Sequence, residues 1–447
     1  MRGSVSFLLL WMSTMIFGCT QKQEDLPEFR NEDIRRLMAK VTEVMVHDVT
    51  NPPLAARFFA YISLSGYEVM AQHDSTLQSM AGVLNEFPVI AKPEVEDHSH
   101  SLTALLAMMQ TARKIQPSGS MIQLYEQQFL DSCRQLGYSE DIIAHSQNYA
   151  QEISKQIMAY VKSDHYSTIS NYPKYTPLEG KGNWYPTPPA YFAAVEPHFN
   201  TVRPLTLDSA SQFKPAPPIA FNEDKDSPYF RMLMEVYEEK NTLPLEHRRI
   251  ASFWDCNPFA MENNGHLMVG LKKISPGAHW MGITSIACEK AQKNFAESVK
   301  MHTVVAIGLM DAFISCWDEK YRSNRIRPET AIRKYIDPTW VPLLQTPPFP
   351  EYTSGHSTIS GASAYILTHY LGDNFSYTDD VEVSYGIPAR DFTSFMSAAK
   401  EAAVSRLYGG IHYRDANENG TAQGLKIGEW VINTIEKQSS QNLAKAK

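Results

Sequence analysis

Apolar residues recur at helical spacing through the first third of the chain. From Asn31 to about Asp164 they lie three and four positions apart, as in Ile34, Leu37 and Met38, the spacing that places side chains on one face of an α-helix. No alternating pattern of the kind that marks a β-strand interrupts this stretch. It therefore predicts an N-terminal helical half of four or five helices.

The stretch from residue 165 to residue 227 has a different character. Ten of the 27 prolines fall between Pro173 and Pro218, with aromatic residues such as Trp184 and Tyr185 among them. Proline fixes φ and lacks an N–H donor, so such a stretch is extended. A connection of this length does not fold alone. We therefore predict a proline-rich segment that wraps over a scaffold.

Helical periodicity resumes near Tyr229 and continues almost to the end of the chain. Its longest stripe of apolar residues runs from Met301 to Cys316. The pattern predicts a second helical half over 228–436 and an all-α fold, either one large domain or two fused helical halves. Further helices are expected at Ser357–Leu371, Phe392–Arg406 and Asn419–Ile435, with a frayed polar tail over 437–447.

The N-terminus carries a candidate export signal. A basic residue precedes an apolar run that ends at Phe17, and Cys19 follows it. This resembles a bacterial lipoprotein signal. We therefore expect a signal peptide over 1–18, lipidation at Cys19, a tether over 19–30, and export to the periplasm or cell surface of a Gram-negative bacterium. A plain secretory signal is the alternative, whereas a membrane anchor would need about 20 apolar residues.

Composition limits the function classes. With 447 residues, of which 43% are hydrophobic, the chain can bury a sizeable core. Its net charge of -8 argues against the broad basic surface of a nucleic-acid binder. The four cysteines after Cys19 form no CxxC pair, which argues against a zinc or disulfide framework. No later stretch looks long and apolar enough to span a bilayer, so we expect membrane attachment only through the N-terminal lipid. A homo-oligomer stays open.

Two apolar stripes lead to a cation. The stripe that begins at Met301 leads to Lys320, with Arg327 a few residues later, and a stripe that begins at Phe392 leads to Arg406. A cation aimed at the core needs an anionic partner, because an unpaired buried charge is costly. The alternatives are a lysine that snorkels to the surface and arginines that pair with core carboxylates.

Two short motifs add groups that suit an anion. Ser354, Gly355 and His356 open a predicted helix, where a hydroxyl, free N–H groups and a close backbone approach favour an oxyanion. His412 follows a Gly-Gly turn. Taken singly, the first motif is equally typical of a helix N-cap, and the second of a loop histidine.

In combination these residues resemble a known signature. Lys320, then six residues, then Arg327; the serine–glycine–histidine motif; and Arg406, then five residues, then His412 are similar to the three-part signature of the vanadium haloperoxidase and type 2 phosphatidic acid phosphatase superfamily. The likeness is closest to its bacterial vanadium-haloperoxidase-like branch and covers roughly residues 166–435. It extends to Trp184–Pro189, Phe253–Asp255, Pro276–Trp280 and Ala312–Tyr321.

The resemblance implies a helical bundle of haloperoxidase type, with two packed four-helix-bundle-like halves and one cationic oxyanion site. In the haloperoxidase interpretation, His412 ligates a vanadate cofactor, where hydrogen peroxide oxidises a halide. Lys320 then polarises the bound oxidant, and His356 hydrogen-bonds the apical oxygen. The residues expected to hold the oxyanion are Lys320, Arg327, Ser354, Gly355, His356, Arg406 and His412.

Two other interpretations stay open. In a soluble acid phosphatase of the same superfamily, no cofactor is needed: His412 attacks the phosphorus of a phosphoester and His356 protonates the leaving group. A non-catalytic surface lipoprotein that binds oxyanions is the alternative from another class.

One position departs from the family pattern. The family usually has an aspartate four residues after the last histidine, where it orients the imidazole, and this chain has Ala416 there. Asp415 could substitute if the turn is re-registered. The run from Asp415 to Gly420 also imitates the start of a calcium-binding loop, but Lys426 stands where that loop needs a bidentate glutamate. A face for close helix packing is the preferred interpretation of Gly420, Gly424 and Gly428.

Overall fold

A computed structural model of the protein describes residues 28–263 and 265–445. It is 58% helix with few strands, which confirms the predicted all-α fold. The predicted signal peptide, the lipidated Cys19 and most of the tether lie outside the described residues.

The N-terminal half contains five helices, at the upper end of the prediction. Three of them begin at a side-chain cap: Asn51, Ser99 and Ser139 each accept a hydrogen bond from the N–H three residues on. Such a cap satisfies a donor that the first helical turn leaves free. The helices are α1 (Asn31–His47), α2 (Pro52–Ala71), α3 (His100–Ile115), α4 (Gly119–Gln135) and α5 (Glu140–Lys162).

The proline-rich segment lies against the second half of the chain and supports the approach to Arg327. The N–H of Trp184 donates to the carbonyl of Asn324 at 2.8 Å, and the N–H of Ile326 donates to the carbonyl of Gly182 at 2.9 Å. These bonds fix the stretch that precedes Arg327. The segment's helical turns are two short 3-10 helices, Tyr166–Asn171 and Phe199–Thr201.

The C-terminal half contains eight helices and two short antiparallel strand pairs among the residues described. Phe392, expected to begin a helix, lies in a strand, because Ser394 caps the helix that follows. The elements are α6 (Pro228–Thr242), α7 (Leu245–Phe253), β1 (Met261–Asn263), β2 (Met268–Gly270), α8 (Pro276–Lys290), α9 (Phe295–Ser323), α10 (Pro328–Tyr335), α11 (Gly355–Leu371), β3 (Tyr377–Asp379), β4 (Arg390–Phe392), α12 (Phe395–Tyr408) and α13 (Arg414–Lys445), the last of which overlaps the expected tail.

Helix α9 is the central element of the core. It packs against α2 from the N-terminal half and against α8, α11 and α13 from the C-terminal half. By length and composition, α9 is long and apolar enough to cross a membrane. The expectation that no later stretch would be so is therefore wrong. The most apolar part of α9 is 94% buried inside the protein. The helix is therefore the hydrophobic centre around which both halves are joined.

Helices α11 and α13 lie in close contact through the predicted glycine face. A Cβ added at Gly424 would come within 2.0 Å of the Thr358 carbonyl oxygen, and one at Gly428 within 2.8 Å of the Ala362 carbonyl oxygen. Only glycine permits this approach, which holds the N-terminus of α11 against the first turns of α13. The calcium-loop-like run from Asp415 lies within α13 and is helical.

Candidate active site

Lys320 is fully buried near the C-terminal end of α9 and does not snorkel. Its Nζ donates to the carbonyl oxygens of Pro350, Glu351 and Thr353, at 3.0, 3.1 and 2.5 Å. Burial lowers the pKa of this amine to about 7, and the positive charge of Arg327 acts in the same direction. A nearby anion would therefore restore the charged form.

Arg327 precedes α10 and contacts His412 directly. Its Nε donates to the Phe349 carbonyl at 2.9 Å, and its Nη1 donates to the Ile411 carbonyl at 2.9 Å and to His412 Nε2 at 3.1 Å. Its Nη2 is buried and has no hydrogen-bond partner within the described part of the chain. Burial lowers the pKa of Arg327 to about 10. The free Nη2 is a donor that the protein leaves to a ligand.

His412 is held between a guanidinium and a carboxylate. Its Nδ1 lies 2.7 Å from Glu351 Oε1, and the N–H of Tyr413 donates to the same oxygen at 3.0 Å. Because Arg327 can only donate, Nε2 of His412 must be the acceptor nitrogen, so Nδ1 carries the proton and donates to Glu351. Burial, with the charges of Arg327 and Lys320, holds the pKa of His412 well below 6.5. The ring is therefore neutral at physiological pH, with its lone pair on Nε2.

Glu351 is the orienting carboxylate that the Ala416 position lacks. Its second oxygen accepts from Arg325 Nε at 2.6 Å. Asp415, the expected substitute, is not the carboxylate hydrogen-bonded to the imidazole; instead it accepts two hydrogen bonds from Arg325, at 2.6 and 2.7 Å. Asp415 thus fixes the arginine that fixes Glu351, one contact further from the histidine.

The N-terminus of α11 presents the hydroxyl of Ser354 to the site. Ser354 caps the helix, and its Oγ accepts from the N–H of Ser357 at 3.4 Å and from the Ser357 hydroxyl at 2.9 Å. Both contacts use the oxygen, which leaves the Ser354 proton to donate to a ligand. A Cβ added at Gly355 would lie 3.5 Å from Trp317. The helix therefore starts against the aromatic wall of the site.

Arg406 and His356 lie at the other side of the site. Arg406 donates from Nε to Ser405 Oγ at 2.9 Å and from Nη2 to the Trp254 carbonyl at 2.5 Å, and burial lowers its pKa. His356 Nε2 is buried and has no hydrogen-bond partner in the described structure. Burial, with the charges of Arg406 and His412, holds the pKa of His356 well below 6.5.

Three buried cations have no carboxylate of their own. The ion pairs of the site join Arg325 to Glu351 and to Asp415, and among the described residues no ion pair involves Lys320, Arg327 or Arg406. The alternative that these arginines pair with core carboxylates is therefore not what the structure has. Uncompensated buried charge is costly, and a bound oxyanion would compensate it. The unused donor at Arg327 Nη2 fits the same occupant.

A pocket opens onto this group of residues. Gly355, His356, Arg406 and His412 line it directly, together with mostly apolar neighbours. Lys320, Arg327 and Ser354 stand behind them, buried in the wall. The apolar lining lowers the local dielectric, which strengthens any charge interaction at the site. Its larger side chains are Phe259, Phe313, Trp317 and Phe349.

Comparison with known proteins identifies the family. A family model described as the VCPO second helical-bundle domain matches residues 300–338 and 335–441. A solved structure of a bacterial vanadium-dependent iodoperoxidase is 42% identical to this chain, with a TM-score of 0.86, and the match covers 91% of this chain and 97% of that one. The chain belongs to the vanadium haloperoxidase family. The predicted family, its bacterial branch and its enzymatic nature are thereby confirmed.

Two further relatives of this vanadium haloperoxidase have lower sequence identity to it. A bacterial vanadium-dependent chloroperoxidase structure shares the fold, with a TM-score of 0.65 at 13% identity, over 93% of this chain and 99% of that one. The vanadium chloroperoxidase of Curvularia inaequalis is 26% identical over 28% of this chain and 29% of its own length. The chain thus matches less than a third of the length of that curated relative.

Sequence reasoning missed two side chains of the candidate site of this vanadium haloperoxidase, Glu351 and Arg325. A charged residue directly after the Pro347–Pro350 turn and three positions before Ser354 is a signal that could have indicated Glu351. Arg325 was not considered, because the family signature uses Arg327, two positions later. Arg325, Glu351 and His412 lie on three separate loops. Their contact depends on the paths of these loops, which cannot be read from spacing in the sequence.

Proposed function

We propose that this chain oxidises halide with hydrogen peroxide at a vanadate held by His412. The observation that carries the proposal is the set of three buried cations, Lys320, Arg327 and Arg406, without carboxylate partners around a neutral histidine. Family membership supports the same chemistry. Because the relative at 42% identity is named an iodoperoxidase, iodide is the halide proposed for this chain.

The residues fit a tetrahedral oxyanion from several sides. His412 Nε2 carries the lone pair that accepts from Arg327 Nη1 and that a ligand would take over, Arg327 Nη2 and the Ser354 hydroxyl offer unused donors, and Arg406 and Lys320 offer positive charge. When bound, vanadate supplies a Lewis-acid centre at which hydrogen peroxide is activated to oxidise halide. Arginine matches an oxyanion with a planar fork of donors, which a lysine cannot do.

The protein's own groups control protons and orientation. Glu351 holds His412 in the tautomer that keeps Nε2 free of a proton. His356 is a neutral ring that lines the pocket, and its unpartnered Nε2 can accept a hydrogen bond from a protonated oxygen of the ligand. Lys320, with a pKa of about 7, holds its proton best when an anion lies nearby.

Assays with two substrates test the proposal. Steady-state rates are measured with hydrogen peroxide plus iodide, bromide or chloride, and separately with a phosphomonoester, before and after loading with orthovanadate. The proposal expects iodide oxidation only after loading. A phosphatase would instead release phosphate before loading and be inhibited by vanadate, and a non-catalytic binding protein would do neither.

A further inference from the structure

Three histidines cluster on the N-terminal half, remote from the oxyanion pocket. His73 follows the C-terminal end of α2, while His98 and His100 flank the start of α3. Pro52, at the opposite end of α2, lines the oxyanion pocket. A helix of 20 residues is about 30 Å long. The cluster is therefore a separate feature with its own chemistry.

The three imidazoles lie close enough to share one ion. One nitrogen from each ring lies within 4.8 Å of the others. The ring centroids of His73 and His100 are 3.8 Å apart, those of His73 and His98 are 4.8 Å apart, and those of His98 and His100 are 5.1 Å apart. His100 is exposed and the other two are half-buried, so an ion can reach them from solvent.

Neighbouring side chains leave a suitable nitrogen on two of the rings. The Tyr149 hydroxyl donates to Gln72 Oε1 at 2.6 Å, so its oxygen accepts from His73 Nε2, 3.0 Å away. That tautomer leaves the lone pair of His73 on Nδ1. His98 Nδ1 lies 2.8 Å from Thr103 Oγ1, and the tautomer in which Nδ1 donates to that hydroxyl has its lone pair on Nε2. Metal-binding histidines usually use their other ring nitrogen in this way.

The protonation state also suits a metal. Burial lowers the pKa of His73 and of His98 to about 4, and His100 and the ammonium of Lys92 act in the same direction on both. Neutral imidazole is the form that binds metal. His145 of α5 adds to the effect on His98, and its own Nδ1 is buried without a hydrogen-bond partner in the described residues.

We propose that His73, His98 and His100 form a site for a divalent transition metal that prefers imidazole, with Zn²⁺ as the reference ion. Zinc–nitrogen bonds are about 2.0–2.1 Å long, so the three nitrogens would draw in by roughly an ångström through side-chain rotation. The ion would tie the end of α2 to the start of α3 across the irregular stretch between them. The site does not depend on the proposed peroxidase function, because it shares no residue with the oxyanion pocket.

Zinc binding to the tag-free protein tests the proposal. Competition with a chromophoric zinc indicator is expected to show one tightly bound Zn²⁺ per chain, and Mg²⁺ is expected not to displace it. The double variant His98→Gln/His100→Gln should weaken zinc binding at least tenfold, and the milder His100→Gln should weaken it by a smaller factor. The control His266→Gln changes an exposed histidine outside the cluster and should leave affinity unchanged.

Thermal unfolding gives a second readout that separates folding from binding. Zinc should raise the melting temperature of the wild type and of His266→Gln, but not that of the double variant, and a chelator should reverse the rise. A wild type that binds no Zn²⁺ would overturn the proposal. So would undiminished binding in the folded double variant, or loss of binding in Cys256→Ser, since Cys256, His279 and Glu382 form a second group of possible metal ligands among the described residues, this one buried.

Discussion

His412 Nδ1 and Glu351 Oε1 lie 2.7 Å apart, buried in the wall of the oxyanion pocket. The contact explains how this chain manages with Ala416 where its family usually has an aspartate. The carboxylate comes from the loop before α11 instead of from the turn after His412. A carboxylate thus still orients the imidazole, but it comes from a different position in the chain.

Replacing Glu351 with glutamine tests this relationship. Glu351→Gln keeps the size of the side chain but removes the charge that fixes the His412 tautomer. Loss of such an outer partner typically costs about 10–100-fold in metal affinity or activity, so we expect that loss in vanadate affinity and in halide oxidation. Equilibrium dialysis with orthovanadate measures the first and steady-state kinetics the second.

Asp415→Asn is the matched control for that variant. Asp415 binds Arg325 and is not the carboxylate hydrogen-bonded to the imidazole, so we expect vanadate affinity to change no more than a few-fold. If Asp415→Asn lost affinity and Glu351→Gln kept it, the assignment of the orienting carboxylate would be wrong.

Arg327→Lys tests whether the fork of donors, rather than charge alone, is required. Lysine keeps the charge but cannot donate to Phe349, Ile411 and His412 together with a ligand. We expect vanadate affinity to fall at least tenfold, about 1.4 kcal/mol. Arg322→Lys alters an exposed arginine at the end of the same helix as Lys320, and should bind vanadate like the wild type.

Anion binding should weaken as the pH rises through neutrality. The pKa of Lys320 is lowered to about 7. Below that pH the ammonium is present and attracts an anion, whereas above it anion binding requires the Lys320 amine to take up a proton. Affinity should then fall by up to about tenfold per pH unit. Sulfate is a suitable probe because its own charge stays constant over this range.

The comparison that isolates the lysine is Lys320→Met. We expect this variant to bind sulfate weakly at all pH values and with a flatter pH profile. An equally steep profile in both proteins would assign the pH dependence to another group.

Gly424→Ala tests the contact between α11 and α13. A Cβ there would come within 2.0 Å of the Thr358 carbonyl, and overpacking of this kind typically costs about 1–3 kcal/mol. Urea unfolding should show at least that loss. Gly270→Ala, where a Cβ has only a 3.8 Å neighbour, should leave the free energy of unfolding nearly unchanged.

The sequence predicted most of this architecture because its signals are local. Stripes such as the one from Met301 to Cys316 report helices directly, and the spacing of Lys320 from Arg327 reports a shared motif. Boundaries were less accurate, as at Phe392, where a cap and a short strand pair decided the start of α12.

What escaped prediction is carried by contacts between distant loops. Glu351 approaches His412 from 61 positions away, and the cluster of His73 with His98 and His100 forms only because α2 and α3 pack side by side. Periodicity describes a helix face, but it does not say which loops meet at helix ends.

Titration of the metal-free protein with orthovanadate tests the central claim most directly. Peroxide-dependent iodide oxidation is followed in the wild type and in His412→Ala, with release of phosphate from a phosphomonoester measured in parallel. His412 is buried and hydrogen-bonded, so its removal should cost about 1–3 kcal/mol of stability and leave a folded protein. We predict that wild-type iodide oxidation rises from nothing to a plateau at one vanadate per chain, that any phosphatase activity falls in the same titration, and that His412→Ala shows neither. Iodide oxidation absent at saturating vanadate, beside robust phosphate release without it, would contradict the account.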